Sequence, residues 1–195
     1  AALARRHLFA LDHIKDVSLI KDENLSRPQS NTSKRGVPVR IEAYDTAHLS
    51  GTNALGVMTV FIDVTPVKKE YRTFRIRGIK KNVGRSTSHI QNDDIASLKE
   101  ILIRRLNHPE WLFPQVIVVD GGKTQKNAAE KVLKEAGVAI PVDAVVKDER
   151  HRPREVIGAR SAGITEADAV LANAEAHRFS LSRHRRARSQ SLRTK

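Results

Sequence analysis

Four β-branched apolar residues, Val116, Ile117, Val118 and Val119, run without a break into one carboxylate, Asp120, and two glycines follow. A run with no polar alternation predicts a strand buried on both faces, as in a parallel sheet covered by helices. Gly121 and Gly122 let the chain turn sharply, and residues 123–136 carry a helical pattern in Ala129, Val132, Leu133 and Ala136 that Gly137 stops. Asp120 is thereby predicted at the C-terminal mouth of a strand, where open α/β sheets bind ligands. Gly122-Lys123-Thr124 matches the end of a Walker A loop, but that loop needs a glycine five positions before Gly122, where Ile117 stands mid-strand. A nucleotide-phosphate loop is therefore excluded. Two readings remain for Asp120: a hard oxygen ligand for a divalent cation, with Lys123 beside it, or a cap on the following helix.

Upstream, residues 39–43, 56–64 and 71–77 read as three strands with short polar links, most simply an antiparallel meander. Asn92 or Asp93 caps a helix whose Ile95, Leu98, Ile101, Leu102 and Leu106 recur at helical spacing. After the buried strand and its helix come a short apolar strand at 142–146, a charged loop at 147–154, a hairpin return at 155–159 and a helix over about 165–180. This is the element order of the ribonuclease H fold, an α/β class with a mixed sheet, three antiparallel strands followed by parallel ones, flanked by helices. Residues 1–36 read as an amphipathic helix and linker, 37–188 as the RNase H-like domain and 189–195 as a basic tail.

In that order the first strand and the strand ending at Asp120 are central neighbours. The first strand carries Ile41-Glu42-Ala43-Tyr44-Asp45. Carboxylates from adjacent strands, Asp45 and Asp120, can bracket one or two divalent cations about 3.5 to 4 Å apart, the arrangement used in phosphodiester hydrolysis. Asp94, in the first turn of its helix, is either a third oxygen ligand or compensation for the helix dipole. His177 falls where this fold brings a last metal ligand or general base, and also fits an ordinary helix histidine. His48, three residues beyond Asp45, either supports the site or only shapes the turn. No two of the eight histidines are spaced i, i+3 or i, i+4, so paired-histidine zinc binding is poorly supported.

A chain of 195 residues with 39% apolar content can bury one core, and zero cysteines exclude disulfides, a thiol nucleophile and cysteine-ligated metal. No apolar run approaches membrane-spanning length and no signal peptide is evident, so a cytoplasmic protein is expected. The net charge of +13 is concentrated: residues 68–85 hold eight Lys/Arg against one acid and 178–195 hold seven against none, leaving the remainder at −1. Two basic patches point to a polyanion, and nucleic acid fits better than membrane because neither patch has the aromatic and leucine face of an interfacial helix. Arg72, Arg75 and Arg77 in the first patch, and Arg178, Arg185 and Arg186 in the second, are the candidate phosphate contacts. The second patch also reads as a solvated tail.

Five ordered motifs then converge: Tyr-Asp-Thr-Ala-His at 44–48, Asn-Asp-Asp at 92–94, Val-Asp-Gly-Gly-Lys-Thr-Gln at 119–125, Lys-Asp-Glu-Arg-His-Arg at 147–152 and Glu-Ala-His-Arg-Phe at 175–179. Together they resemble the C-terminal endonuclease domain of the UvrC family, the incision subunit of bacterial nucleotide excision repair, over about 37–188. The resemblance implies an RNase H-like domain that cuts damaged DNA with Mg2+ or Mn2+. It assigns metal binding or catalysis to Asp45, Asp94, Asp120 and His177, with Lys147 and His151 as auxiliaries. Residues 1–23 are similar to the segment that joins the family's UvrB-binding region to this domain, which implies a UvrB-type loading partner. The family often has Phe-Asp at Tyr44-Asp45, Gly-Asp-Asp at 92–94 and Arg-Asp-Glu at Asn173-Ala174-Glu175. None of these differences removes a proposed ligand, but the last removes charge near His177. A second nuclease module of the Gly-Ile-Tyr type and a helix-hairpin-helix pair are not found, so an excised domain or a truncated relative is expected. The alternative reading is a DNA-binding adaptor that keeps the fold without catalysis.

Overall fold

The computed structural model describes residues 38–48, 54–77, 94–148, 152–158 and 163–193. Its elements are β1 (Arg40–His48), β2 (Ala54–Ile62), β3 (Thr65–Pro66), β4 (Arg72–Arg75), α1 (Asp94–Leu106), β5 (Val116–Asp120), α2 (Lys123–Glu135), β6 (Val142–Lys147), β7 (Pro153–Ile157) and α3 (Glu166–Arg193). The strands form one sheet in the order β3-β2-β1-β5-β6-β7, with β4 also on β2. β1, β2 and their outer neighbours are antiparallel, β5 and β6 continue parallel to β1, and β7 turns back antiparallel. This is the RNase H-like mixed sheet that the element order predicts.

The meander differs in detail from its sequence pattern. Asp63 and Val64 take positive φ of 46° and 64° and end β2 early, where the apolar run suggested a strand to residue 64. The third strand then arrives in two pieces, β3 and β4, on the same edge of β2 and separated by a 3-10 turn at Lys68–Glu70. At the far end α3 does not stop near residue 180 but stays helical through the basic segment to Arg193.

Strand alternation divides the core in two. Tyr44, Met58, Val60, Phe74, Ile117 and Val119 pack under α1 and α2, whereas Ile41, Ala43, Phe61, Val116, Val118 and Val145 pack under α3. α3 turns Ala169, Ala172 and Ala176 to the sheet, all fully buried, so its backbone lies close to β1 and β2. Thr165 and Asp168 fix where it starts: the Asp168 amide donates to Thr165 Oγ1 (3.2 Å) and the Thr165 amide to Asp168 Oδ2 (2.7 Å), a reciprocal cap. On the other face a Cβ on Gly56 would meet Ile101 Cδ1 at 2.0 Å, so glycine lets α1 approach β2. Among the described residues no helix is long and apolar enough to cross a membrane.

An ion network runs through the α1 side. Glu42 is fully buried and accepts from Arg105 Nε (2.9 Å) and Nη2 (3.0 Å), from Arg40 Nη2 (3.2 Å) and from the Tyr44 hydroxyl (2.7 Å). Arg105 also donates to the carbonyls of His108 (3.3 Å), Trp111 (3.3 Å) and Leu112 (2.8 Å), and Arg40 reaches Glu70. Burial first, and the Glu42 carboxylate second, push the Tyr44 phenol well above its ordinary range. Removing one partner of such a pair strands the other charge in the interior, which costs about 3–5 kcal/mol. Arg105→Leu is therefore expected to lower unfolding stability by about that amount in urea titration.

Asp143 is a second buried acid with a different fate. Its Oδ1 has no hydrogen-bond partner among the described residues, and burial raises the carboxyl above its usual range, with Lys126 opposing. A carboxyl raised on folding favours the folded state at acid pH and costs stability as pH climbs through its folded value. Asp143→Val is expected to raise the melting temperature at pH 8, by an amount equivalent to about 1–3 kcal/mol. That advantage should shrink as the buffer is taken toward pH 4.

Candidate active site

The parallel pairing Ile41↔Val116, Glu42↔Ile117, Ala43↔Val118 and Tyr44↔Val119 makes Asp45 and Asp120 the next residues in register. Adjacent strands lie about 4.8 Å apart, and in-register residues share a face. Asp45 and Asp120 therefore sit side by side on the α3 face of the sheet, at the C-terminal ends of β1 and β5.

Their surroundings differ. Asp45 is 5% exposed and takes no hydrogen bond among the described residues; the imidazole of His177 lies near it, with Nδ1 3.8 Å from its Oδ2. That separation is too long for a hydrogen bond. Asp120 is more open and is held from two sides: the Lys147 ammonium lies 2.8 Å from Oδ1, and Asn173 Nδ2 donates to the same oxygen at 3.2 Å. α2 is capped at Gly122, where Gln125 Oε1 accepts from the glycine amide at 3.0 Å, while the bonds of Asp120 go to β6 and α3. Gly121, at φ +116°, turns the chain away from the strand mouth.

The other candidates fall as follows. His177 projects from α3 at this rim and is 50% exposed at its side chain. Asp94 starts α1 and accepts from Thr46 Oγ1 at 3.4 Å, and Thr46 alternates with Asp45 onto the opposite sheet face. Asp94 is therefore at the same end of β1 but reaches it through Thr46. Lys123 is exposed at the start of α2. The side chain of His48 and all of His151 lie outside the described residues. Among the described residues no group of three or more carboxylates and histidines gathers closely enough to hold a metal.

The arginines differ in exposure and in the bonds that hold them. Arg178 donates Nε and Nη2 to Glu175, each at 2.6 Å, and Glu175 also accepts from the Tyr71 hydroxyl at 2.9 Å. Tyr71 packs edge-on against Phe179 at 5.1 Å, and Arg183 Nε donates to Thr73 Oγ1 at 3.0 Å. These contacts fasten α3 to β4 and its approach. Arg72 donates to the carbonyls of Lys69 and Tyr71, each at 3.0 Å, and lies over Trp111 at 4.8 Å. Arg75 and Arg77 are exposed, Arg75 on the opposite face of β4 from Arg72, so the three do not form one surface. Arg185 and Arg186 are exposed on α3. Sequence reasoning missed Asn173 as a partner of Asp120; only its place one helical turn before His177 pointed toward the site.

A mixed sheet in this order, with acids ending its central parallel pair beneath a C-terminal helix, defines an RNase H-like domain. The model of the UvrC RNAse H endonuclease domain matches residues 29–191, and the chain belongs to that family. It is 34% identical over 165 residues to UvrABC system protein C of Streptococcus equi subsp. zooepidemicus, covering 78% of this chain and 26% of that one. Against UvrABC system protein C of Caldanaerobacter subterraneus subsp. tengcongensis it is 30% identical over 213 residues, covering 95% and 33%. The chain thus spans about a quarter to a third of the length of these curated relatives. Among solved structures it is similar to human ENDOV, with TM-score 0.46, 11% identity and coverage of 94% of this chain and 97% of that one.

Proposed function

We propose that this domain is a divalent-metal-dependent endodeoxyribonuclease that makes an incision in damaged DNA during nucleotide excision repair, with a UvrB-type partner loading it. Membership of the UvrC endonuclease-domain family supports the reaction class. The observation that carries the site is Asp45: a carboxylate 5% exposed, with no hydrogen-bond donor among the described residues, set beside a second carboxylate on the neighbouring strand. Burying an ionised carboxylate without a partner is costly, and a cation resolves that cost. The donors are hard oxygens, which suits Mg2+ or Mn2+. Asp45 and Asp120 would hold the cation, with Asp94 nearby through Thr46. Bound there, it supplies Lewis acidity toward the phosphodiester oxygens.

The protein's own groups do the rest. Lys147, at 2.8 Å from Asp120, neutralises that carboxylate and offers positive charge to a phosphate. His177, exposed and 3.8 Å from Asp45, is placed to accept the proton of an attacking water through its neutral ring. Exposed basic side chains on α3 hold the DNA backbone without reading bases. We take the nuclease domain to begin at about residue 37, with the basic segment continuing α3 as far as Arg193.

The decisive assay is incision of damaged duplex by the chain with its loading partner, first in Mg2+ and then in EDTA. Asp45→Asn and Asp120→Asn are each expected to lower incision by more than about a hundredfold, beyond the 10–100-fold typical of changes around a metal site, with melting curves showing the fold intact. Normal incision by either variant at saturating metal removes the two-carboxylate site. A wild-type chain that binds DNA with its partner yet never incises it is instead an adaptor. For the DNA surface, replacing Arg185 and Arg186 together by Gln should flatten the dependence of log affinity on log salt by about 0.9 for each phosphate that is no longer neutralised. Arg178→Gln should act mainly on stability, because its guanidinium is committed to Glu175.

A further inference from the structure

Asn173 is 2% exposed on the inner face of α3, and its hydrogen bonding is lopsided. Nδ2 donates to Asp120 Oδ1 at 3.2 Å, while its own Oδ1 is buried with no partner among the described residues. Reversing the amide would set oxygen against carboxylate oxygen, so the orientation follows from the contact. A buried amide with an unused acceptor is a poor contributor to stability, and an apolar side chain of the same size would avoid the penalty. The one bond it makes goes to a strand-end carboxylate of the site.

That bond also decides which carboxylate oxygen is left over. Lys147 Nζ and Asn173 Nδ2 both fall on Oδ1, and Oδ2 takes no hydrogen bond among the described residues. Of the two donors, Lys147 is a long, flexible-stemmed side chain on a strand near the sheet rim and is 20% exposed. Asn173 has two torsions and is locked in the helix-sheet interface. It is the fixed donor.

We propose that Asn173 is a positioning residue for the metal site, holding Asp120 by Oδ1 so that Oδ2 is the oxygen presented to a divalent cation. The role rests on the metal-dependent reading above. It gives the interior asparagine a purpose that stability does not, and it makes α3 set the orientation of a β5 side chain as well as carry His177.

The test measures Mn2+ binding to the DNA-free chain by calorimetry, and the Mn2+ dependence of incision with the loading partner, for wild type, Asn173→Leu, Asn173→Ala and Asp120→Asn. Asn173→Leu keeps the branched outline, with bulkier methyl groups, and removes the orphaned acceptor, so its melting temperature should stay close to that of wild type. Its Mn2+ affinity should nevertheless fall about tenfold, the low end of the effect of groups that orient metal ligands. Incision should need correspondingly more Mn2+ and recover most of its rate at saturation. Asn173→Ala should show the same loss of affinity even where its cavity lowers the melting temperature. Asp120→Asn should bind Mn2+ far more weakly than either. If Asp120→Asn binds like wild type, the metal-site reading falls and the proposal with it. If Asp120→Asn loses binding while Asn173→Leu keeps wild-type affinity, the site stands and the positioning role is overturned. A rate lowered equally at all Mn2+ concentrations, or an affinity loss tracking a lower melting temperature in Asn173→Leu, marks Asn173 as structural and also overturns it.

Discussion

The buried pair of Glu42 and Arg105 is the constraint on which the rest of this fold hangs. A carboxylate and a guanidinium leave water together only if nearly all their hydrogen-bonding capacity is met inside. Here it is: Glu42 is met by two arginines and a phenol, and Arg105 spends its remaining donors on three carbonyls between His108 and Leu112. The pair therefore ties the middle of β1 to the end of α1 and to the connection that leads into β5. Gln115 closes the same junction, its amide donating to the Arg40 carbonyl at 2.9 Å and its side chain accepting from the Arg40 amide at 2.6 Å. The pairing of β5 on β1 starts from these contacts, and that pairing sets Asp45 beside Asp120. A one-residue slip would turn either acid to the other face.

β1 thus carries two acids with opposite fates. Glu42 lies on the α1 face with its charge fully compensated; Asp45 lies three residues on, across the sheet, with no hydrogen-bond donor among the described residues. Compensation marks the first as structural, and its lack is what supports the metal-holding role proposed for the second. Residue type does not distinguish them. Asp143 extends the contrast: on β6 it is buried beside Gly158, its carboxyl raised by desolvation, with no second acid beside it in register. A buried acid is a reason to look for a cation only where a neighbour adds another oxygen ligand.

That contrast also explains how much could be read from the chain. The uninterrupted run ending at Asp120 is a local signal, and the element order places the first strand next to it, so Asp45 followed. Arg105 was legible only as an anomaly, standing on the buried stripe of Leu98, Ile101 and Leu102 where an apolar residue is expected. Nothing in its spacing names Glu42, 63 positions away, as its partner. Asn173 stayed hidden for the same reason, since its partner belongs to another element. The end of α3 was misplaced because a run of arginines without apolar periodicity reads as a tail. Propensity favours helix there, and anchors at Tyr71 and Thr73 hold the preceding turns to the sheet edge.

Those anchors bear on the chemistry. His177 sits between Ala176, fully buried against the sheet, and Arg178, clamped through Glu175 to Tyr71. With its neighbours fixed on both sides, the backbone of His177 has little freedom, while its half-exposed ring keeps its own torsions. The 3.8 Å gap to Asp45 is therefore bounded by helix placement and adjusted by the torsions of the ring. A helix seated more deeply would bring the imidazole closer to Asp45. A helix held farther off would take the ring out of reach of the strand ends. The alanines that bring α3 close and the Tyr71–Glu175–Arg178 clamp that stops its rotation act on that one distance from opposite sides.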